Sequence, residues 1–152
     1  MASREKMRII LCEVTCQRQI AFNLSSEAIQ QCFRQVCEIN YGPHGMGAFG
    51  LPTRVVVNLT KYTGFFAIKV PSRYCSEAVA CIGLIRSISG PPVTVRAIHI
   101  SGRMKNTVKA TIDRVINWRN SLPSDYAIPR KIELESNFRE IMNLLSALPS
   151  YA

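Results

Sequence analysis

Ser101, Gly102, Arg103, Met104 and Lys105 set a hydroxyl, a residue without a side chain and two cations where the strand-like run Val93 to Ile100 gives way to a helical pattern. That pattern goes on to carry Lys109, Arg114 and Arg119. Residues of these types in this order suit anion binding. A serine can cap a helix by accepting a bond from its first amides, and glycine lets a ligand approach the backbone closely. Cations in a first helical turn oppose the macrodipole, at roughly a few tenths of a kcal/mol each. A bound phosphate relieves that conflict, since the free amides and both side chains then face negative charge. Taken alone, the same residues fit a solvated basic helix start equally well.

Charge distribution separates the two readings. Between Arg54 and Arg119 the chain has eleven lysines and arginines against two acids, Glu77 and Asp113. The flanks, residues 1–53 and 120–152, nearly cancel, so the net charge of +9 belongs to the middle of the chain. Such a field attracts polyanions and speeds encounter with them. Net charge alone does not distinguish RNA from DNA or anionic lipid, and nucleic acid is the leading candidate.

Residues for catalysis are poorly supplied. Glu13, Glu77 and Asp113 fall in separate segments without paired-carboxylate spacing, and no serine or cysteine nucleophile has a base placed by motif. His99, within an apolar strand beside Ser101, reads as structural. The six cysteines (12, 16, 32, 37, 75, 81) contain no CxxC, and His44 and His99 lie apart from them in sequence. They read as small reduced core residues, so neither a disulfide framework nor a metal site is expected. No apolar run reaches the roughly 20 residues that cross a bilayer, and the start lacks a hydrophobic signal core, so an intracellular protein is expected.

The elements that must position the basic junction follow from periodicity. At 152 residues with 47% hydrophobic content, the chain fits one domain with a packed core. Ile9, Ile10, Leu11, Cys12 and Val14 form an apolar run suited to a strand with most of both faces covered. Ser25 or Ser26 can cap a helix bearing Ala28, Ile29, Cys32, Phe33 and Val36, which Gly42 and Pro43 should end. Gly42 to Gly50 then reads as a turn-rich linker. Val55 to Leu59 and Phe65 to Val70 form a hairpin about Lys61 to Gly64. Ser72 can cap a helix running to Ser89 and Gly90, after which Pro91 and Pro92 introduce the strand at 93–100. The order β-α-β-β-α-β predicts an α+β fold of ferredoxin-like, RNA-recognition-motif-like type: an antiparallel sheet with helices on one face, plus two C-terminal helices. Val108, Ile112, Val115 and Ile116 should be the buried stripe of the first. Leu134, Phe138, Ile141, Met142, Leu145 and Leu148 form that of the second. Residues 1–122 are read as the RNA-binding domain, including a basic helix at 103–121. Residues 123–152 are a helical extension packed on that domain or on a partner.

Thr63 to Val70 partly copies the basic-Gly-aromatic strand of RNA-recognition motifs. Gly64 and Phe65 fit, but Ala67 and Val70 replace two aromatics, and the first strand supplies none. Phosphate and shape recognition are favoured over base stacking on the sheet.

Four stretches resemble one known family, the small α/β subunit of ribonuclease P and ribonuclease MRP, fifth of the proteins named for processing of precursor RNAs. They are Lys6 to Glu13; Tyr41, Gly42, His44, Gly45 and Met46 to Phe49; Thr63, Gly64, Ala67, Ile68 and Lys69; and Pro92, Val93, Arg96, Ile98, His99, Ile100, Ser101 and Gly102. Together they cover about residues 6–112. Arg103 departs from the usual threonine, Met104 from isoleucine, and Arg73 from a common glutamate.

The resemblance implies a non-catalytic subunit of a ribonucleoprotein endonuclease. There the RNA, with its bound magnesium, cleaves precursor tRNA, and precursor rRNA in the related particle; the chain itself binds no cofactor. It implies residence in the nucleus and nucleolus. The implied partners are the particle's RNA, a barrel-shaped protein subunit and other proteins of the same particle, with precursor tRNA met indirectly and no membrane. The expected RNA contacts are Lys6, Arg8, Lys61, Lys69, Ser101, Gly102, Arg103, Lys105 and Lys109, with Lys69, like Arg54 and Arg96, a sheet cation that can instead meet a partner subunit. The alternatives are a stand-alone single-stranded RNA binder of the RNA-recognition-motif class and a basic structural adaptor.

Overall fold

The computed structural model describes residues 5–16, 23–122 and 127–148. Its elements are β1 (Met7–Thr15), α1 (Ser26–Gly45), β2 (Arg54–Asn58), β3 (Phe65–Pro71), α2 (Cys75–Gly83), β4 (Thr94–Ser101), α3 (Met104–Ser121) and α4 (Ile128–Ser146). The sheet runs β2-β3-β1-β4 with every neighbouring pair antiparallel, as the ferredoxin-like order requires. The two central strands are the two most continuously apolar segments, because both of their faces are covered.

Alternation sorts their side chains into two cores. Ile10, Cys12 and Val14 of β1 with Phe66, Ile68 and Val70 of β3 face Ile29, Phe33 and Cys37 of α1 and Ala78, Cys81 and Ile82 of α2. Ile9, Leu11, Phe65 and Ala67 face the other way, onto Met104 and Val115 of α3 and Ile141 and Leu145 of α4. The expected face therefore carries α1 and α2, while α3 and α4 roof the opposite one. The second face is not left open to solvent.

Local signals explain most boundaries. Ser25 Oγ accepts from the amide of Ala28 at 3.1 Å and starts α1. Three expectations need correction. The Gly42–Gly50 stretch is not a loose linker: the chain bends at Gly42 (φ 69°) and continues helically, ending in a π-turn at Met46–Gly50. Phe49 is buried there, stacked 5.3 Å from Tyr74 and edge-on to Tyr41, so aromatic packing overrides the glycines. Ser72 does not cap α2 with its side chain; it opens a short 3-10 turn, Ser72–Tyr74. Finally, α2 stops at Gly83, and Ile85 and Ile88 are buried from an irregular segment that turns at Ser89 and Gly90.

The hairpin glycine has a steric cause. A Cβ on Gly64 would collide with the Val14 carbonyl oxygen, and the Gly64 carbonyl accepts from Val14 N at 2.7 Å. At the sheet edge, the Gln30 side chain accepts from Val55 N at 2.9 Å and so occupies part of β2. All six cysteines are unbridged; Cys12, Cys37 and Cys81 are buried, and burial pushes the Cys12 thiol far up from its usual range. No helix among the described residues is long and apolar enough to cross a membrane.

Candidate nucleic-acid interface

The end of β4 is tied to the start of α3 by one hydroxyl. Ser101 Oγ accepts from Arg103 N and donates to Arg103 O, both at 3.1 Å, closing a tight turn on a buried serine. Ser101 is therefore not the helix cap. That position falls to Arg103, whose extended backbone (φ −136°, ψ 139°) presents a carbonyl to both the amide and the hydroxyl of Thr107 at 3.2 Å. No side chain caps the α3 amino end, and its first turn carries no acid. The amides of the first turn lack a side-chain acceptor, while Arg103 and Lys105 beside them are exposed. An anion is the group that would satisfy them.

Strand pairing brings further cations to this end. Ile9 of β1 pairs with both Ser101 and Lys69, and Lys69 pairs in turn with Arg54, so Arg54, Lys69, Ile9 and Ser101 form one row across the sheet. Arg8 lies beside the row. Its Nε donates to Ser72 Oγ at 3.3 Å, and its Nη1 occupies the space above Gly102, 2.7 Å from where a Cβ would stand. Gly102 thus admits the Arg8 guanidinium to the junction. Lys6 is exposed one residue before β1, its carbonyl bonded to Ser72 N at 2.8 Å. Burial pushes the nearby Cys75 thiol up, against an opposing pull from Arg8.

Lys105 and Lys109 continue the basic surface along exposed positions of α3. Lys61 does not join it. It sits in the β2–β3 turn at the opposite end of the sheet, its Nζ 5.3 Å over the Tyr62 ring, on the order of 20 Å away at about 3.4 Å per strand residue.

Ion pairing sorts the remaining cations. Arg73 pairs with Glu5 at 3.2 Å, Arg96 with Glu13 at 2.9 Å and Arg119 with Glu135 at 2.6 Å. Among the described residues Arg8, Arg54, Lys69, Arg103, Lys105 and Lys109 form no ion pair. Arg34, Lys61, Arg86, Arg114, Lys131 and Arg139 form none either but lie dispersed, whereas those six, with Lys6, cluster at the Ser101–Lys105 end.

The apolar stripe expected on α3 is rotated. The helix buries Met104, Thr107, Thr111 and Val115, with Val108 and Ile112 half-buried against the same core, while Ile116 is exposed. The threonines can be buried because each hydroxyl bonds back into the helix, Thr111 Oγ1 to Thr107 O at 2.7 Å. This rotation turns a polar stripe that sequence reading missed, Asn106, Lys109, Asp113 and Asn117, toward the β4 edge. Its i, i+3, i+7, i+11 spacing was the available signal.

Comparison with known proteins meets this geometry at the same residues. A family model, the Rpp14/Pop5 family, matches residues 8–112, from the Arg8 strand through the basic start of α3. The chain belongs to the Rpp14/Pop5 family. This is the ribonuclease P and ribonuclease MRP subunit family that the four stretches resemble, and the match excludes α4. A chain in the cryo-EM structure of yeast ribonuclease MRP shares the fold with a TM-score of 0.52 at 12% sequence identity, over 80% of this Rpp14/Pop5 protein and 100% of the yeast chain. Among curated proteins none matches in sequence.

Proposed function

We propose that this chain is a non-catalytic protein subunit of a nuclear ribonuclease P or ribonuclease MRP particle, and that it binds and shapes the particle's RNA for processing of precursor tRNA, and of precursor rRNA in the nucleolus. Lys6, Arg8, Lys69, Ser101, Gly102, Arg103, Lys105 and Lys109 form one backbone-binding surface, with Arg54 at its margin and Lys61 as a separate contact at the far end of the sheet. The observation that carries the reading is the uncapped, acid-free start of α3 with unpaired Arg8, Arg103 and Lys105 around it. Helix dipole, amides and three guanidinium or ammonium groups all favour phosphate there.

Cleavage belongs to the RNA and the magnesium bound on it. The carboxylates of the chain support that division: Glu13 is held by Arg96, and Glu77 and Asp113 lie on different helices on opposite sides of the sheet. A sheet-stacking RNA-recognition mode is disfavoured because Phe65 is 5% exposed and Ala67 fully buried beneath α3 and α4. A barrel-shaped subunit and other proteins of the particle complete the set of partners.

Purification of the tagged protein tests the reading. It should bring down a long structured RNA, the partner subunits and precursor-tRNA cleavage activity. Recovery of the protein with no long RNA and no such activity overturns it.

A further inference from the structure

Phosphate contacts do not account for the polar stripe of α3. Asn106, Lys109, Asp113, Arg114 and Asn117, with His99 of β4, line an open groove of about 500 Å³ along the sheet edge. The groove begins one residue after Lys105 and so continues the proposed backbone-binding surface.

Three observations give it a different ligand chemistry. Asp113 is one of only two acids between residues 54 and 119, it sits between Lys109 and Arg114 in the stripe, and it forms no ion pair among the described residues. A carboxylate repels phosphate but accepts strongly from N–H donors. The His99 ring lines the groove, its Nδ1 buried away from any occupant. Arg114 Nη2 donates to the Ile98 carbonyl at 3.1 Å, which fixes its guanidinium at the groove wall. Histidine rings and guanidinium planes are both surfaces on which unstacked RNA bases lie.

We propose that this groove takes one unstacked base of the bound RNA, with Asp113 accepting from N–H groups on the base's Watson–Crick edge. Guanine fits best, because its ring N–H and exocyclic amino group can both meet a single carboxylate. Asn106 and Asn117 satisfy the remaining polar edge, and Lys109 holds the flanking phosphate. The inference rests on the RNA-binding reading above and deepens it: the α3 start attaches any backbone, whereas the groove selects a base.

Fluorescence anisotropy with the full-length protein and two labelled nonamers tests it. One is oligouridine with a central guanosine; the other has an abasic nucleotide in its place. The guanosine nonamer should bind about tenfold more tightly, within the range of one bidentate base contact. Asp113→Ala should bring the two within about twofold of each other without weakening the abasic nonamer. Asp113 is exposed, and an unchanged thermal melt checks that the variant folds. Replacing both Arg103 and Lys105 by alanine should weaken both nonamers in equal proportion. Equal affinity for the two nonamers in the unaltered protein overturns the base site and leaves the RNA reading standing; a groove occupied by a basic side chain of a partner protein gives that result. A tenfold preference that survives Asp113→Ala also overturns it. Binding of neither nonamer at low salt overturns both readings.

Discussion

The two faces of the sheet are built from the same strands and are covered in different ways. On the α1/α2 face the inward residues are aliphatic, aromatic or cysteine, and the helices close over them. On the α3/α4 face buried threonines share the core with Met104 and Val115, and the covering helix keeps a polar stripe and an uncapped amino end at its margins. A helix roofing a sheet can hide its apolar stripe and still present one terminus and one flank. The binding surface proposed above lies at the rim of the second face, with the first acting as its foundation.

The comparison predicts that damage to the first face appears as lost stability. Phe66 is 1% exposed, and Phe66→Ala should cost about 3–5 kcal/mol in urea unfolding, with the salt slope of RNA binding unchanged in the protein that remains folded. A loss under about 1 kcal/mol would break the division. The same face should show an alkaline limit. Burial raises the Cys12 thiol in the folded state, so the neutral form is favoured there, and stability is full below the unfolded thiol value of about 8.5. Above it the unfolded chain ionises while the folded one does not. Stability should then fall by up to about 1.4 kcal/mol per pH unit, a slope reduced in Cys12→Ala.

Much of this architecture was legible in the sequence because β1 is apolar from Met7 to Val14 apart from Arg8 and Glu13, β3 apart from Lys69, and Ser25 stands before a clear helical period. The basic junction was legible for a similar reason: Ser101 to Lys105 concentrates chemistry in five consecutive residues. What escaped depends on partners distant in sequence. Threonine reads as polar until its hydroxyl is seen bonding back into the helix, so Thr107 and Thr111 hid the true buried face of α3. Gly42 to Gly50 reads as a linker because nothing local reveals that Phe49 meets Tyr74. Ser72 reads as a cap because Arg8, 64 residues earlier, is what it bonds. Arg73, Arg96 and Arg119 look as available as Arg103 until Glu5, Glu13 and Glu135 are found beside them.

At the second face the effects should be on binding. Replacing Arg103 and Lys105 together by alanine should leave the melting temperature unchanged or slightly raised, because two cations leave the positive end of a helix dipole. The slope of log affinity against log salt should flatten by about 1.4 if each cation neutralises one phosphate of a single strand. Arg119→Ala is the matched control. That cation is already paired with Glu135 and stacked 4.3 Å over Phe138, so its removal should touch the α3–α4 contact and barely alter the slope. Equal flattening by both would mean that ion pairing does not sort the cations.

The finest prediction concerns Gly102. A Cβ there would meet the Arg8 guanidinium at 2.7 Å, and because that group ends a flexible side chain it can swing away. Gly102→Ala should therefore cost little stability, less than about 1 kcal/mol, since the residue is exposed and outside regular structure. Its effect should fall on RNA affinity through the displaced cation. Arg8→Ala should produce the same loss, and the two changes combined should produce no more than either alone, because both remove one guanidinium from one place. Additive losses would show that Gly102 and Arg8 act separately, with the glycine serving instead as the point where RNA meets the backbone directly.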